Sequence, residues 1–283
     1  MKQKIGIIGL GLIGGSMALA LKQIMSAEIY GADKYFLPQA LSLGIADKEL
    51  TNDDFQKMDI IIIATPVNTI AQIALDVLDQ IHSNCLVFDV GSTKYKISQA
   101  IDNHKNRKNF VLAHPIAGTE YSGPEAAFSS LFTNKMNIIC DIEKTDKKIL
   151  QKAREIFDLL QMKTNEMSSH SHDKHIAYVS HLSHISSFML GKTVMDLEKD
   201  EKNIFEMAGS GFASTVRLAK SSPKTWTAIF IDNKENILQS LDEYIDNLNK
   251  FKQLLIAEKA IKIEAALSKI NHIKSIIDRV DKK

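Results

Sequence analysis

Two features of this sequence could do chemistry together. Gly9-Leu10-Gly11-Leu12-Ile13-Gly14 fits G-x-G-x-x-G, the pattern of a dinucleotide-binding turn. His114 lies about a hundred residues downstream, after the apolar run 110–113 and before a loop that contains glycine. An imidazole accepts a hydroxyl proton near neutral pH. A nicotinamide beside such a proton acceptor can remove hydride from a carbinol carbon, so the pair predicts a dehydrogenase.

The glycine pattern assigns a separate task to each glycine. Gly9 permits the tight turn, Gly11 lets the backbone approach the pyrophosphate, and Gly14 lets helix and strand pack closely. Leu12 and Ile13 lie in the first helical turn, whose free N–H groups face the diphosphate. We therefore predict that these five residues bind the cofactor.

Asp33 follows at the end of a second predicted strand, 19 residues after Gly14. Its carboxylate would accept hydrogen bonds from the ribose hydroxyls and repel a 2′-phosphate, so the sequence predicts NAD rather than NADP. The neighbouring Lys34 could partly offset that charge. Thr65 and Pro66 end a third strand, where ligands of such sheets bind, and are predicted to wall the cofactor.

The elements that must position these residues alternate along the first half of the chain. Apolar, β-branched runs alternate with helical segments, which predicts an α/β fold with a Rossmann-type, doubly wound, mostly parallel sheet. A helix is predicted over 12–25, and Pro66 is predicted to begin another. We place strands at 4–8, 28–32, 59–64, 86–90, 110–113 and 136–140.

Beyond about Met167 helical periodicity dominates and no strand pattern appears. The sequence predicts a dinucleotide-binding domain over 1–168 and an all-α substrate-binding and dimerisation domain over 169–283. Its long helices carry apolar stripes that exceed what one small domain needs, which favours a homodimer.

Composition excludes several other classes of protein. Apolar residues make up 45%, charged residues 24%, and the formal net charge is +1, which gives no reason to expect a nucleic-acid or membrane partner. No uncharged apolar stretch approaches the roughly 18 residues of a membrane span. We expect a cytoplasmic protein with two buried thiols, Cys85 and Cys140. Five histidines between 170 and 184 lack nearby cysteines, so no metal is expected.

Two further side chains have both a chemical and a structural interpretation. Ser92, in Asp89-Val90-Gly91-Ser92-Thr93-Lys94, either caps the next helix or directs its hydroxyl into the cleft toward His114. Arg217 lies one turn inside a helix that follows Gly209-Ser210-Gly211. Its guanidinium suits a bidentate carboxylate contact, and a surface ion pair is the alternative.

Taken together, these motifs resemble the prephenate/arogenate dehydrogenases of tyrosine biosynthesis. The resemblance covers residues 1 to about 250, and the matching stretches are 9–16, 89–94, 114–123, 167–187 and 209–219. It implies oxidative decarboxylation of prephenate to 4-hydroxyphenylpyruvate and CO2, with hydride passing from the ring carbon that bears the hydroxyl to NAD.

The resemblance also assigns roles to residues. His114 accepts the proton of the 4-hydroxyl, and Ser92 hydrogen-bonds both that hydroxyl and the imidazole. Glu120 pairs with Arg217 when the site is empty, and Trp226 reaches across the subunit boundary. The substrate pocket as a whole is assigned to Arg217, Glu120, Thr119, His181, His184 and Trp226.

Two departures from the family and several alternatives accompany this interpretation. Ser214 stands where family members often carry an acid, and no regulatory ACT domain is expected. Arogenate use, or dual cyclohexadienyl use, stays open. A β-hydroxy acid dehydrogenase with a catalytic lysine is the enzymatic rival, and a non-catalytic dinucleotide-sensing module is the rival of another class.

Overall fold

The protein is described by a computed structural model that covers residues 2–199 and 204–281. Its contacts divide the chain into two compact units, Met1–Lys234 and Glu235–Lys283. The boundary predicted between 168 and 169 lies inside the first unit, directly after the last strand ends at Met167. That boundary stays a prediction.

One sheet organises the first unit. Within the described residues its strands lie in the order β3-β2-β1-β4-β5-β6-β7-β8, and all neighbours are parallel except β6 and β7. The first six of these positions follow the order of dinucleotide-binding sheets. The strands are β1 (Gln3–Ile8), β2 (Ala27–Ala32), β3 (Lys48–Glu49), β4 (Ile60–Ile63), β5 (Leu86–Asp89), β6 (Phe110–Pro115), β7 (Met136–Cys140) and β8 (Lys163–Met167).

Helices cover both faces of this sheet, as the apolar strands predicted. In β4, Ile60 and Ile62 pack into one buried cluster, and Ile61 and Ile63 pack into a second cluster on the opposite face. The helices of the first unit are α1 (Leu12–Ile24), α2 (Leu37–Ser42), α3 (Val67–Gln80), α4 (Tyr95–Ile101), α5 (Lys147–Leu159), α6 (Ser169–Ile176), α7 (Leu182–Glu198), α8 (Ser210–Thr215) and α9 (Pro223–Asp232).

The remaining helices are α10 (Lys234–Ile256), α11 (Ala260–Ile270) and α12 (Lys274–Asp281). From Ser169 onward the described residues contain helices and no strand, so the predicted all-α second half is confirmed. None of the helices within residues 2–199 and 204–281 combines the length and apolar content that a bilayer crossing requires. Cys85 and Cys140 are buried and unpaired, as predicted.

The six predicted strands are present, and two further strands were missed. The first is the two-residue β3, and the second is β8, whose Lys-Thr-Asn-Glu-Met sequence is largely exposed and carries no apolar pattern. The strand predicted over 110–113 was too short, because β6 continues through His114. Antiparallel pairing with β7, His114 opposite Ile138, extends the strand to Pro115.

The turn between β1 and α1 requires its glycines for different steric reasons. Gly9 has φ +96°, and a Cβ there would lie 2.5 Å from the carbonyl oxygen of Ala64 at the end of β4. A Cβ on Gly14 would lie 1.9 Å from the carbonyl oxygen of Gly9. A Cβ on Gly11 would meet nothing within 4 Å. The backbone therefore packs tightly at Gly9 and Gly14 and leaves open space at Gly11.

This difference predicts opposite effects of the same substitution. Gly14→Ala should lower the free energy of unfolding by about 1–3 kcal/mol, because the added methyl group overpacks a turn made of backbone. Gly11→Ala is the matched control and should leave the stability near that of the wild type. Urea denaturation measures both, and equal stability of the two variants would contradict the steric assignment.

Candidate active site

The N-terminus of α1 meets the requirements of a pyrophosphate site. Gly11 precedes the helix, no side chain caps its first turn, and that turn contains no acidic residue. The first N–H groups of the helix are therefore available to an anion. Open space at Gly11 lies where a phosphate would approach. Leu12 is buried and Ile13 is half-buried, so both support the turn from the protein side.

Asp33 lies directly beyond the end of β2, as predicted, but its carboxylate already accepts three backbone hydrogen bonds. The donors are the N–H groups of Leu10 (2.8 Å), Tyr35 (2.8 Å) and Phe36 (2.9 Å). A carboxylate has about four acceptor positions. One therefore remains for a ribose hydroxyl, on the oxygen that Leu10 shares, which narrows the predicted ribose contact to a single hydrogen bond.

Thr65 and Pro66 stand at the end of β4, on the same edge of the sheet. Pro66 is exposed and immediately precedes α3, which begins at Val67, one residue after the predicted start. The Thr65 hydroxyl lies 2.9 Å from that of Thr69. Their contact with a cofactor stays a prediction.

His114 is buried and belongs to a chain of polar side chains. Its Nδ1 lies 2.8 Å from Nε2 of His172, and Nδ1 of His172 lies 2.7 Å from a carboxylate oxygen of Asp173. Asp173 also accepts the N–H groups of Lys94 (2.8 Å) and Tyr95 (2.9 Å) at the start of α4. A carboxylate on α6 thus connects the histidine of β6 with the beginning of α4.

Lys94 fixes the other side of His114. Its ammonium group is fully buried, pairs with Asp89, and donates to the carbonyl oxygen of Ala113 at 2.8 Å. Burial is the largest cause that holds the pKa of His114 well below its ordinary value. The nearby side chains of His172, Lys94 and His181 lower this pKa further. The imidazole is therefore neutral near pH 7 and has a lone pair for proton acceptance.

A π-helical turn, Ala177–His181, joins α6 to α7 and changes the helical register. At about 100° per residue, a regular helix would place His181 about 180° from His172 and His184 about 120° from it. One extra residue in the turn reduces these angles to about 80° and about 20°. The turn therefore brings the histidines of both helices toward one side.

His181 offers a buried hydrogen-bond donor. The Asn233 amide nitrogen donates to the Asp173 carbonyl oxygen (2.7 Å) and contacts Nδ1 of His181 (3.2 Å). Nδ1 of His181 is therefore the acceptor, and its proton lies on Nε2. That nitrogen is buried and has no partner among the described residues. An unpaired buried donor is unfavourable by about 1–3 kcal/mol, which an acceptor on a ligand would relieve.

His184, Trp226 and Arg217 form the adjoining part of the site. The rings of His184 and Trp226 stack with centroids 3.4 Å apart, and Nδ1 of His184 lies 2.9 Å from the Ser180 carbonyl oxygen. Burial and the nearby Arg217 are among the causes that lower the pKa of His184. The Ser187 hydroxyl of α7 bonds the backbone on both sides of Arg217, at Thr215 and Ala219, both at 3.1 Å.

Arg217 itself is exposed, and no carboxylate of the described residues forms an ion pair with it. The surface ion pair considered from the sequence is therefore absent there, and so is the implied pair with Glu120. Trp226, on α9, contacts the rings of His181 and His184 of its own chain. Its reach into a second subunit stays a prediction.

The structure does not join Ser92, Thr119 or Glu120 to this cluster. Among the described residues the Ser92 hydroxyl forms no hydrogen bond, so it contacts neither His114 nor the start of α4. The first N–H groups of α4 donate to Asp173 instead. The Thr119 hydroxyl accepts the N–H of Tyr121, in an exposed loop. The roles assigned to these three residues stay predictions.

Sequence reasoning missed His172, Asp173, Asp89 and Lys94 as members of the site. The signal was present in two places: a His-Asp dipeptide in a segment rich in histidine, and a lysine one turn after an acid at the end of a strand. Neither pattern indicates which residue it contacts in the fold. His172, for example, is 58 residues from His114 along the chain.

Comparison with known proteins identifies relatives along nearly the whole chain. The family model "Prephenate dehydrogenase, nucleotide-binding domain" matches residues 17–166, and "Prephenate dehydrogenase, dimerization domain" matches residues 168–273. The chain is 34% identical to the prephenate dehydrogenase of Bacillus subtilis over 267 residues, which are 92% of this chain and 72% of the relative. It is 28% identical to the cyclohexadienyl dehydrogenase of Zymomonas mobilis over 262 residues, 90% and 89% of the two chains.

Solved structures agree with this result. A prephenate dehydrogenase from A. aeolicus, crystallised with hydroxyphenyl propionate and NAD+, superposes with a TM-score of 0.89 at 32% identity and covers 98% of this chain and 99% of its own. The arogenate dehydrogenase of Synechocystis shares the fold, with a TM-score of 0.80 at 24% identity, covering 97% of this chain and 100% of its own.

The burial of His181 predicts a pH dependence of stability. Burial lowers its pKa to about 4 from 6.5, so between these values the unfolded chain binds a proton that the folded chain does not. The free energy of unfolding should therefore fall as the pH drops from 6.5 to about 4, by about 3 kcal/mol from this group. His181→Gln should show a correspondingly smaller loss in urea denaturation at one protein concentration. Identical pH profiles would contradict this.

Proposed function

The chain belongs to the prephenate dehydrogenase family, and we propose that it oxidises prephenate with NAD to 4-hydroxyphenylpyruvate and CO2. The observation that carries this function is the buried, neutral His114 at the carboxyl end of β6, whose Nδ1 is held by His172. Nε2 of His114 is the nitrogen left to contact a substrate.

His114 acts on the proton of the substrate hydroxyl. Nε2 accepts this proton as hydride leaves the ring carbon, and loss of CO2 from the opposite carbon supplies the electron pair that completes the aromatic ring. His114 then returns the proton to the phenol oxygen. Because the imidazole is buried and neutral, it can accept the proton over the physiological pH range.

The carboxylates of prephenate require cationic and donor groups. Arg217 offers a guanidinium that forms no ion pair with a described carboxylate, on a turn that Ser187 fixes to α7. The Nε2–H group of His181 is a buried donor without a partner among the described residues, and it suits a substrate oxygen. The stacked rings of His184 and Trp226 supply a flat wall for a six-membered ring.

The cofactor site fits NAD. When bound, NAD accepts the hydride from the substrate carbon. Gly11 and the uncapped first turn of α1 would hold the pyrophosphate, and Asp33 retains one acceptor position for a ribose hydroxyl. The negative charge of Asp33 disfavours a 2′-phosphate.

We further propose a homodimer formed through the helical half, with the domain boundary at 168–169, acting in the cytoplasm. The match of residues 168–273 to a dimerization domain supports the assembly. Large exposed apolar side chains support it as well, in the second unit along α10 and α11: Leu238, Ile245, Leu248, Leu255, Ile256, Ile261, Leu267 and Ile270.

Arogenate is the second candidate substrate, since one relative is named a cyclohexadienyl dehydrogenase. Arogenate carries an ammonium group that needs a nearby carboxylate, and Glu120, which has no ion pair with Arg217 among the described residues, could supply it. Steady-state kinetics with prephenate and arogenate, each with NAD and NADP, separates these activities. Turnover of neither substrate would contradict the proposal.

His114→Asn tests the base. We expect kcat to fall by about 10²- to 10⁴-fold, because a general base is removed. NAD affinity, measured by quenching of Trp226 fluorescence or by calorimetry, should stay unchanged. Undiminished turnover in this variant would refute the assigned role.

Arg217→Gln tests the carboxylate contact. Loss of a charge-assisted hydrogen bond of about 1.5–3 kcal/mol should raise the KM for prephenate by about 10- to 150-fold. Arg217 and Lys220 begin and end one short helical turn, Arg217–Lys220, and Lys220→Gln, which changes its other exposed cation, is the matched control. An unchanged KM in Arg217→Gln would assign the residue to structure alone.

A further inference from the structure

Two hydrogen bonds join the side chains of His114, His172 and Asp173 in series, and their direction affects which nitrogen of His114 can act as a base. All three side chains are buried, with exposures of 8%, 2% and 2%. The two contacts between them, 2.8 Å and 2.7 Å, are hydrogen-bond distances. Since each imidazole has two ring nitrogens, the direction of these bonds decides which nitrogen of His114 is free to accept a proton.

The direction follows from Asp173. Its two oxygens accept the backbone N–H groups of Lys94 and Tyr95, so the carboxylate acts as an acceptor. Nδ1 of His172 must therefore donate to it. A neutral imidazole carries one donor and one acceptor, so Nε2 of His172 accepts. Nδ1 of His114 then donates to His172, and Nε2 of His114 keeps its lone pair.

The surrounding contacts keep this chain in place. Asp173 is attached to α4 by two backbone hydrogen bonds, and its own carbonyl oxygen accepts the Asn233 amide. The carbonyl of Ala113, one residue before His114, is held by the buried ammonium of Lys94. Rotation of the His114 ring would break its hydrogen bond to His172, and rotation of the His172 ring would break the bonds to both His114 and Asp173.

A histidine in the opposite tautomer would be a poor base here. With its proton on Nε2, His114 would present an N–H group to the substrate hydroxyl and could not accept the proton. In Ser-His-Asp hydrolases, replacing the aspartate that orients the histidine lowers kcat by about 10⁴-fold for this reason.

We propose that His172 and Asp173 are positioning residues that hold the His114 proton on Nδ1 and so leave Nε2 as the base. The assignment of the proton stands on the hydrogen bonds alone, whereas its catalytic consequence rests on the proposed function. The two parts are therefore tested by separate measurements.

Nitrogen-15 NMR of histidine side chains tests the proton positions without substrate. In the wild-type protein near pH 7, His114 should carry its proton on Nδ1 and an unprotonated Nε2. His114→Asn identifies these signals by their loss. A wild-type His114 protonated on Nε2 would mean that His172 donates to it, and would overturn the proposal.

Substitutions of His172 test the consequence. His172→Leu removes the acceptor, so the His114 proton should move toward Nε2, and kcat should fall by about 10²- to 10⁴-fold with unchanged NAD affinity. The amide oxygen of His172→Gln can still accept from His114, and kcat should stay within about tenfold of wild type. His175→Gln, at an exposed position of α6, is the matched control and should behave as wild type.

Asp173→Asn tests whether the Asp173 carboxylate sets the direction of the hydrogen bonds between His172 and His114. The amide can donate toward Nδ1 of His172, so part of the His114 population should carry its proton on Nε2 even if the protein is less stable. A His172→Leu protein with wild-type proton positions and wild-type kcat would overturn the proposal. Predicted proton positions in a protein that turns over neither substrate would support it and would contradict the proposed function instead.

Discussion

The carboxylate of Asp173 is the group on which the arrangement of the site depends. It accepts the N–H groups of Lys94 and Tyr95 at the start of α4 and the imidazole of His172 on its own helix. These donors come from two segments that are almost eighty residues apart, so one buried acceptor links the first helix of the all-α half to the start of α4. Because a buried carboxylate without donors is strongly unfavourable, the same hydrogen bonds that satisfy it also fix the histidines.

Burial makes this a site of neutral imidazoles. The pKa of His114, of His181 and of His184 is lowered, and loss of solvation is the largest cause for each. What distinguishes the three is their partner. The Ser180 carbonyl makes Nδ1 of His184 a donor, whereas the Asn233 amide makes Nδ1 of His181 an acceptor. One residue type thus supplies the proposed base, a buried donor and a stacking surface.

Much of the fold followed from short-range patterns. The apolar run of β4 predicted a strand covered on both faces, and its isoleucines alternate between two buried clusters. The glycine pattern predicted the turn after β1, where added methyl groups at Gly9 or Gly14 would clash with backbone atoms. By contrast, β8 was missed because its side chains are mostly exposed, and its backbone pairs with β7 without an apolar pattern.

The sequence by itself determined the parallel sheet, the phosphate turn and the helical second half, and it indicated His114 and Arg217 as candidate site residues. These depend on hydrophobic periodicity and on glycine sterics, which act over a few residues and can therefore be recognised in the sequence. Only the tertiary structure decided the partner of His114, the pairing of Lys94 with Asp89, and the side toward which His181 and His184 point. These depend on hydrogen bonds between distant segments and on one extra residue in a π turn, and no local pattern specifies either.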